Sequence, residues 1–421
     1  MPIIAFLMFF AIVAILLAGY PVAFTLAGTA LLFALGGLMT FGILFVYSAT
    51  YNNDLFASAS WLRQPHIKQI IFYGAGICIA FIICLKEYNL LARWSYVFYW
   101  LSIVSLVLVL IPGIGSVRYG ARRWFDLGFT QFQPSEMVKV AFILAMAQFL
   151  SRPRSELMDS GVLFKGLGLA AIPFVLILLE PDLGSSLMIP PTALAMMYLA
   201  GAPKSFIKKL IGGIALFAVI ILSYVFFVPK DWKPIQLPDY QKRRLMVYFG
   251  ADYAKQYAGP GATRAEIRQA RAMQQQDSYN VVQAMISVGS GGLTGRGWKQ
   301  GIQNTYGYLP RGVAHNDFIF SVIAEESGFV GSTLVIVLYG TIIVAGIRTA
   351  RRSRDRLGKL LAMGVVTLLF CHVFVNIGMN IRLVPVTGLP LPLLSSGGSS
   401  VVCSLMTLGL LQNVRLHQKT I

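Results

Sequence analysis

The sequence predicts an all-α protein, a polytopic bundle of membrane-spanning helices. Of its 421 residues, 56% are hydrophobic and only 12% are charged, whereas soluble domains carry about 25% charged residues. The apolar residues form continuous runs, which excludes an outer-membrane barrel because its strands alternate apolar and polar residues. Within such a run only a helix satisfies every backbone polar group.

Runs of about 17–25 apolar residues are long enough to cross a bilayer. We identify ten of them, which predict a ten-helix core. They cover residues 24–49, 68–85, 95–114, 135–151, 167–181, 184–202, 210–228, 318–347, 360–379 and 393–412. A further apolar run over residues 3–19 predicts an extra N-terminal helix, so that a segment 1–23 precedes a membrane domain 24–421.

Arginine and lysine mark alternate loops between the spans. Residues 348–359 are dense in arginine, and basic residues also occur in 152–165, in 203–209 and in the tail. The positive-inside rule places these loops and the C-terminus in the cytoplasm. The long loop 229–317 is then extracytoplasmic, since long loops translocate largely regardless of charge.

The net charge of +18 is also typical of nucleic-acid-binding proteins. Here the basic residues adjoin apolar spans, so membrane topology and anionic lipid headgroups account for them, and we expect no nucleic-acid partner. The four cysteines lie in or beside apolar spans without metal-like spacing. We therefore interpret them as small hydrophobic residues and predict no metal site.

Two pairs of ionisable residues stand at span ends, where burial of charge is costly and therefore informative. Glu136 and Lys139 are three residues apart in QPSEMVKVAF, on one helix face where they can pair. They are either an ion pair that fixes helix packing or the polar lining of a substrate cavity. Glu180 and Asp182 flank Pro181 in EPDLGSS, and we favour Asp182 as the cap of the next helix over a catalytic role.

Asp317 stands where the long loop re-enters the membrane, in AHNDFIFSVIAEESG. His315 lies beside it, and the upstream glycine-rich segment SVGSGGLTGRGWKQG carries Arg296 and Lys299. Glycines there permit close backbone approach and anion-binding conformations, which suits chemistry on a phosphate-bearing substrate. Alternatively, Asp317 caps the helix that follows it. These residues alone predict a basic polar cavity with one carboxylate, which fits a transporter as well as an enzyme.

Six segments, in order, resemble the SEDS family, the RodA/FtsW group of cell-wall polymerases. They are RRWFDLGFTQFQPSEMVK, EPDLGSS, DYQKRRL, QAMISVGSGGLTGRGWKQGIQ, HNDFIFSVIAEESGFVG and NIGMNIRLVPVTGLPLPLLSSGGSS, within a resemblance over residues 40–415. In lacking long cytoplasmic extensions, the sequence resembles the RodA branch of this family, which acts in cell elongation. Residues 1–39 instead resemble the start of a TRAP-transporter large membrane subunit, too short a piece to imply transport.

The resemblance implies an enzyme of the bacterial cytoplasmic (inner) membrane that polymerises lipid II into glycan strands on the outer face. It also implies a class B penicillin-binding protein as transpeptidase partner, and other elongation-complex proteins. The family's catalytic aspartate falls on Asp317. Its membrane-cavity acid and lysine fall on Glu136 and Lys139, and basic residues of two other motifs fall on Arg123 and Arg244. The expected substrate-binding residues are Arg123, Glu136, Lys139, Arg244, Arg296, Lys299 and His315.

The sequence departs from the family pattern near the expected site. LPRGVAHND replaces a shorter Leu-Pro-Glu-x-His-Thr-Asp run, so that Asn316 stands in place of threonine. Arg382 occupies a position where the family commonly has glycine, and SSGGS replaces SYGGS. We expect the change in the LPRGVAHND run to alter the local geometry, while the family's catalytic aspartate is still present as Asp317.

The implied chemistry is one displacement with inversion, since lipid II carries an α-linked diphosphate and the product linkage is β. Asp317 would act as general base on the acceptor hydroxyl, while basic side chains or a divalent cation, Mg²⁺ or Mn²⁺, neutralise the departing diphosphate. The sequence contains no dedicated metal cage, so the cation is an open alternative. Two rival hypotheses are a flippase or exporter of lipid-linked precursors, which needs no acceptor sugar, and a non-catalytic scaffold.

Overall fold

The structure is a computed structural model that describes residues 26–51, 60–118, 121–128, 130–227, 246–249, 263–309 and 312–417. The predicted N-terminal helix within residues 1–23 lies outside the described residues, as does Arg244. The helices are α1 Leu26–Tyr51, α2 Pro65–Cys84, α3 Tyr88–Arg93, α4 Ser95–Leu110, α5 Pro134–Leu150, α6 Arg154–Leu157, α7 Ser160–Leu179, α8 Leu183–Ser186, α9 Ile189–Ala200, α10 Lys204–Phe227, α11 Arg264–Ser290, α12 Ile302–Thr305, α13 Ile319–Arg352, α14 Arg356–Asn380 and α15 Gly398–Leu416. A single 3₁₀ turn, Trp61–Arg63, precedes α2.

Each of the ten predicted spans coincides with a helix: α1, α2, α4, α5, α7, the α8–α9 pair, α10, α13, α14 and α15. Among the described residues, seven helical stretches are long and apolar enough to cross a membrane. The other three are α4, which is apolar but has only 16 residues, α5, whose 17 residues include Glu136 and Lys139, and α15, which has 19 residues and carries Arg415 in its last turn. The predicted all-α, multi-pass membrane fold is confirmed.

Helix α5 lies at the centre of the bundle. Apart from Met137 and Gln148, every residue from Pro134 to Leu150 is buried, and a helix that is buried on all sides must have neighbours on all sides. Those neighbours include α4, α7, α9, α14 and α15. A charged residue on α5 therefore lies inside protein and not against lipid.

The last span begins later than predicted, at Gly398 and not near residue 393. Residues 388–397, which we call the hub loop, precede it without helical structure. Pro390 and Pro392 keep this segment out of a helix because they lack an N–H donor and restrict the preceding residue. Its leucines nevertheless pack in the core, with Leu389, Leu391 and Leu393 each 1% exposed. The hub loop is thus an interior element of the bundle.

A small antiparallel sheet occupies the connection between α4 and α5. Its strands are β1 Ser116–Arg118, β2 Ala121–Asp126 and β3 Gln131–Phe132, in the order β1-β2-β3. Phe125 pairs with Phe132 across the sheet, and their rings stack with centroids 6.5 Å apart. The sheet places Arg123 of β2 beside the start of α5.

Within the long loop, α11 begins with the segment RAEIRQARAMQQQ, which has helix-forming composition and little apolar character. Most of its first turns are exposed where the structure describes their side chains. Its last turns, however, pack against α13, and Ala284 and Ser287 are each 0% exposed. The C-terminal end of α11 is therefore part of the folded bundle.

Candidate active site

Asp317 lies in the turn that leads into α13, and its side chain is half-buried. Its carbonyl oxygen accepts hydrogen bonds from the side-chain amides of Asn376 (3.1 Å) and Asn380 (3.3 Å), both on α14. Helix α13 begins at Ile319 with Phe318 in the N-cap position. The N-cap position that the sequence also allowed for Asp317 is thus occupied by Phe318.

The hub loop binds the two carbonyls that precede Asp317. The backbone N–H of Ser396 donates to the carbonyl of His315 at 2.9 Å, and the hydroxyl of Ser395 donates to that of Asn316 at 2.5 Å. Three consecutive carbonyls, of residues 315 to 317, are thus each held by another element. This anchoring fixes the backbone on which the Asp317 carboxylate is carried.

Buried side chains of other helices in turn hold the hub loop. Gln69 of α2 donates to the carbonyl of Ser395 at 3.1 Å, and Tyr73 donates to that of Leu393. Tyr339 of α13 donates to the carbonyl of Pro392. Because these donors satisfy carbonyls that lie away from water, they make an irregular segment tolerable inside the bundle.

The predicted ion pair between Glu136 and Lys139 is confirmed, with Nζ 2.8 Å from Oε1. A third residue, His372 of α14, joins it, and its Nε2 lies 3.0 Å from the same Nζ. Glu136, Lys139 and His372 are 5%, 2% and 5% exposed. They line a cavity of about 30 Å³ together with Ser404, Thr407 and apolar side chains, enough room for one water molecule. The pair therefore lines a cavity and also joins two helices.

One face of α14 links this ion pair to Asp317. His372, Asn376 and Asn380 are spaced four residues apart, which places them on one helix face. Four residues rise about 6 Å along a helix, so the Lys139 contact lies roughly one turn from the Asp317 contact. None of these three residues was predicted from the sequence as part of the site. Their spacing within an apolar span, CHVFVNIGMN, was the signal available.

Arg123 binds the backbone at the break between α7 and α8. Its guanidinium donates to the carbonyls of Glu180 and Pro181, and lies 4.0 Å from the Asp182 carboxylate. Asp182 accepts from the N–H of Ser185 at 3.2 Å, which confirms its predicted role as a helix cap. It also accepts from the side chain of Gln133 at 2.9 Å, immediately before α5. Asp182 thus links Arg123 to the residue that precedes the helix carrying Glu136.

Glu180 is 0% exposed, and neither carboxyl oxygen has a hydrogen-bond partner among the described residues. Burial, with a contribution from the charge of Asp182, raises the pKa of Glu180 to about 9. Desolvation penalises the charged form of a carboxyl group. Glu180 is therefore a neutral acid at physiological pH, and not a second carboxylate of the site.

The glycine-rich segment of residues 289–301 packs against the backbone of α13. The N–H groups of Arg296 and Gly297 donate to the carbonyls of Glu325 and Glu326, each at 3.0 Å. A Cβ on Gly295 would lie 2.1 Å from the Glu326 carbonyl oxygen. The predicted close backbone approach occurs, but it is directed at α13. These two N–H groups are consequently occupied in the structure, while the Arg296 side chain is exposed.

Lys299 lies among aromatic rings of α1 and its own loop. Its Nζ is 3.7 Å from the ring centroid of Tyr51, 4.3 Å from that of Tyr47 and 4.8 Å from that of Trp298. Cation–π attraction at these distances holds the ammonium against the rings. Lys299 therefore attaches the glycine-rich segment to α1, in addition to any contact with substrate.

His315 is buried, and burial lowers the pKa of its imidazole to about 4. It is therefore neutral at physiological pH and supplies no positive charge to a diphosphate.

Arg382, where the family commonly has glycine, has a φ of +58°, in the left-handed region that favours glycine. Its guanidinium donates to the carbonyl of Val247 at 3.3 Å. Arginine thus adopts a strained backbone here and contacts the long loop.

The chain matches the family model described as "Cell cycle protein", FtsW/RodA/SpoVE, over residues 29–420. It is similar to peptidoglycan glycosyltransferase MrdB of Escherichia coli K12, with 32% identity over 378 residues, 89% of this chain and 91% of that protein. Stage V sporulation protein E of Bacillus subtilis 168 is 32% identical over 386 residues, 91% of this chain and 95% of that protein.

Solved structures agree with these relationships. A chain from a study of "structural coordination of polymerization and crosslinking by a peptidoglycan synthase complex" has a TM-score of 0.71 and 26% identity, covering 93% of this chain and 98% of that chain. Rod shape determining protein RodA of Thermus thermophilus has a TM-score of 0.61 and 27% identity, covering 93% and 97%. This chain belongs to the FtsW/RodA/SpoVE family, the SEDS family of multi-pass membrane proteins.

Proposed function

We propose that this chain, a peptidoglycan glycosyltransferase of the SEDS family, polymerises lipid II into glycan strands with Asp317 as general base. The observation that carries the proposal is the anchoring of the carbonyls of residues 315 to 317 by α14 and the hub loop. A general base must stand at hydrogen-bonding distance from the proton that it takes, and a fixed backbone favours this.

The reaction needs one carboxylate. The acceptor hydroxyl oxygen attacks the anomeric carbon of the donor sugar, and the bond from that carbon to the diphosphate breaks. Asp317 takes the proton of the hydroxyl, and the diphosphate leaves as an anion without a strong general acid. A single displacement converts the α-linked donor into a β-linked product. Glycoside hydrolases, by contrast, need two carboxyl groups.

Positive charge near Asp317 would stabilise the negative charge of the departing diphosphate. Lys139 is the buried cation that α14 connects to Asp317. Arg123 also lies near the start of α5, although its guanidinium is bound to backbone carbonyls. Among the described residues, no group of three or more His, Cys, Asp or Glu side chains forms a metal cage. We therefore assign no step to a divalent cation.

We place the end of the bundle that carries Asp317 on the outer face of the bacterial inner membrane, with the C-terminus in the cytoplasm. The arginine-rich loop between α13 and α14 supports this orientation. Similarity to a chain of a peptidoglycan synthase complex supports a class B penicillin-binding protein as partner. We also propose the role in cell elongation that the resemblance to the RodA branch implies, and the similarity to a rod shape determining protein supports it.

The test uses purified protein in lipid nanodiscs, incubated with lipid II with and without the partner transpeptidase, and analysed for glycan polymer. We expect polymer in the presence of the partner, and none when Asp317 is replaced by alanine. Transfer of lipid II across a liposome membrane without polymer would favour the flippase hypothesis. Absence of both activities from a correctly folded complex would favour the scaffold.

A further inference from the structure

We propose that His372 is a positioning residue of this site, which holds the Lys139 ammonium where it can bind the substrate diphosphate. The inference rests on the proposed function, since Lys139 would serve the same reaction. His372 acts through Lys139 and need not touch the substrate.

The hydrogen bonds of Lys139 define the arrangement. Its ammonium donates to Glu136 at 2.8 Å and lies 3.0 Å from Nε2 of His372. An ammonium has three N–H donors, and these two contacts are the acceptors seen for Lys139 within the described part of the chain. The third N–H is therefore left for one oxygen atom of a ligand, and the cavity of about 30 Å³ has room for a group of that size.

This arrangement determines the protonation of His372. A charged lysine has only donors, so the contact requires Nε2 of His372 to be an acceptor, and the imidazole to be neutral with its proton on Nδ1. The group then comprises one anion, one cation and one neutral ring. Such a set is tolerated in an apolar interior, whereas a second cation beside Lys139 would not be compensated.

The lysine side chain has four rotatable bonds, and one ion pair leaves its ammonium free to pivot around Glu136. A second acceptor on another helix removes that freedom, because α5 and α14 pack against each other. His372 also shares its helix face with Asn376 and Asn380, which bind the carbonyl of Asp317. A single rigid helix thereby sets the distance between Lys139 and Asp317, which is the property expected of a positioning residue.

The test compares His372→Leu, which cannot accept a hydrogen bond, with His372→Gln, whose side-chain oxygen can. We expect the leucine variant to polymerise lipid II about 10- to 100-fold more slowly, and the glutamine variant to retain a rate within about threefold of wild type. In the Lys139→Met background, adding His372→Leu should cause no further loss, because His372 acts through Lys139. Thr367→Val, which removes a hydroxyl from α14 outside the site, is the control.

Equal losses in the leucine and glutamine variants, with normal thermal stability and partner binding, would overturn the proposal. So would a full additional loss from His372→Leu in the Lys139→Met background. Failure of the proposed function is distinguishable, because the wild-type protein would then form no polymer. A His372→Leu variant that polymerises at the wild-type rate would refute only the role of His372.

Discussion

The side-chain amide of Asn376 donates to the carbonyl oxygen of Asp317 at 3.1 Å and to that of Leu389 in the hub loop at 2.7 Å. It thus ties the hub loop to the turn that carries Asp317. We expect Asn376→Leu, which keeps the size but removes the donor, to lower the rate of lipid II polymerisation about 10- to 100-fold.

The matched control for this variant is Asn413→Leu. Asn413 is equally buried and also donates to two backbone carbonyls, those of Ile83 and Lys86, but it lies at the other end of α15. We expect both variants to lower the unfolding temperature, and only Asn376→Leu to lower the rate per folded molecule. If the two variants polymerised lipid II at the same rate per folded molecule, this would show that the Asn376 contact serves stability alone.

The Glu136–Lys139 pair makes a second prediction. Glu136→Gln or Lys139→Met alone leaves an uncompensated buried charge, at a cost of about 3–5 kcal/mol. The double variant removes both charges, so we expect it to recover most of the thermal stability while polymerisation stays impaired for lack of the ammonium. Unfolding temperatures in detergent and polymer assays separate the two effects. Recovery of polymerisation would assign the pair to helix packing only.

The packing of the glycine-rich segment on α13 predicts opposite outcomes for two nearby glycines. Gly295 has a φ of +81°, and a Cβ there would collide with the Glu326 carbonyl. We expect Gly295→Ala to detach the segment, with faster hydrogen exchange over residues 291–304. Gly289 lies in α11, where a Cβ meets nothing within 4 Å. Gly289→Ala should be neutral or stabilising, by up to about 1 kcal/mol. Similar exchange in the two variants would contradict this packing role.

The raised pKa of Glu180 predicts that the stability of the protein depends on pH. Because its pKa is about 9 in the folded protein and near 4.5 in the unfolded chain, the unfolded chain releases this proton first as the pH rises. The ionisation of Glu180 therefore lowers stability progressively between about pH 5 and pH 9, by up to about 1.4 kcal/mol per pH unit. We expect Glu180→Gln to raise the unfolding temperature by an amount that grows across this window.

The control for this series is Glu156→Gln, since the side chain of Glu156 is 50% exposed. This variant shows how replacing a carboxyl by an amide at an exposed site affects the unfolding temperature over the same pH range. A constant difference between Glu180→Gln and wild type from pH 5 to pH 9 would show that Glu180 is ionised in the folded protein.

Much of this architecture was predictable from local sequence. The ten spans follow from apolar runs, the Glu136–Lys139 pair from its helical spacing, and the Asp182 cap from the helix break at Pro181. The glycine-rich segment correctly predicted a close backbone approach. The backbone of α13, on which this segment packs, is distant in sequence, so no local pattern predicted it as the partner.

The remaining parts of the site depend on contacts between distant segments. The hub loop looks apolar enough to extend a span, yet its prolines and the donors from Gln69, Tyr73 and Tyr339 hold it as a buried loop. The contact of His372 with Lys139 joins residues that are 233 positions apart. Polar residues at every fourth position of α14 indicate a functional face, but only the packed bundle identifies what that face binds.

The most direct test of the central claim is the rate of lipid II polymerisation by Asp317→Asn in complex with the partner transpeptidase. Asparagine keeps the size of the side chain but cannot accept a proton as a general base. We predict a loss of about 100-fold or more, with membrane insertion, thermal stability and partner binding unchanged. Polymer formation by this variant at a rate near that of wild type would contradict the role of Asp317 as general base.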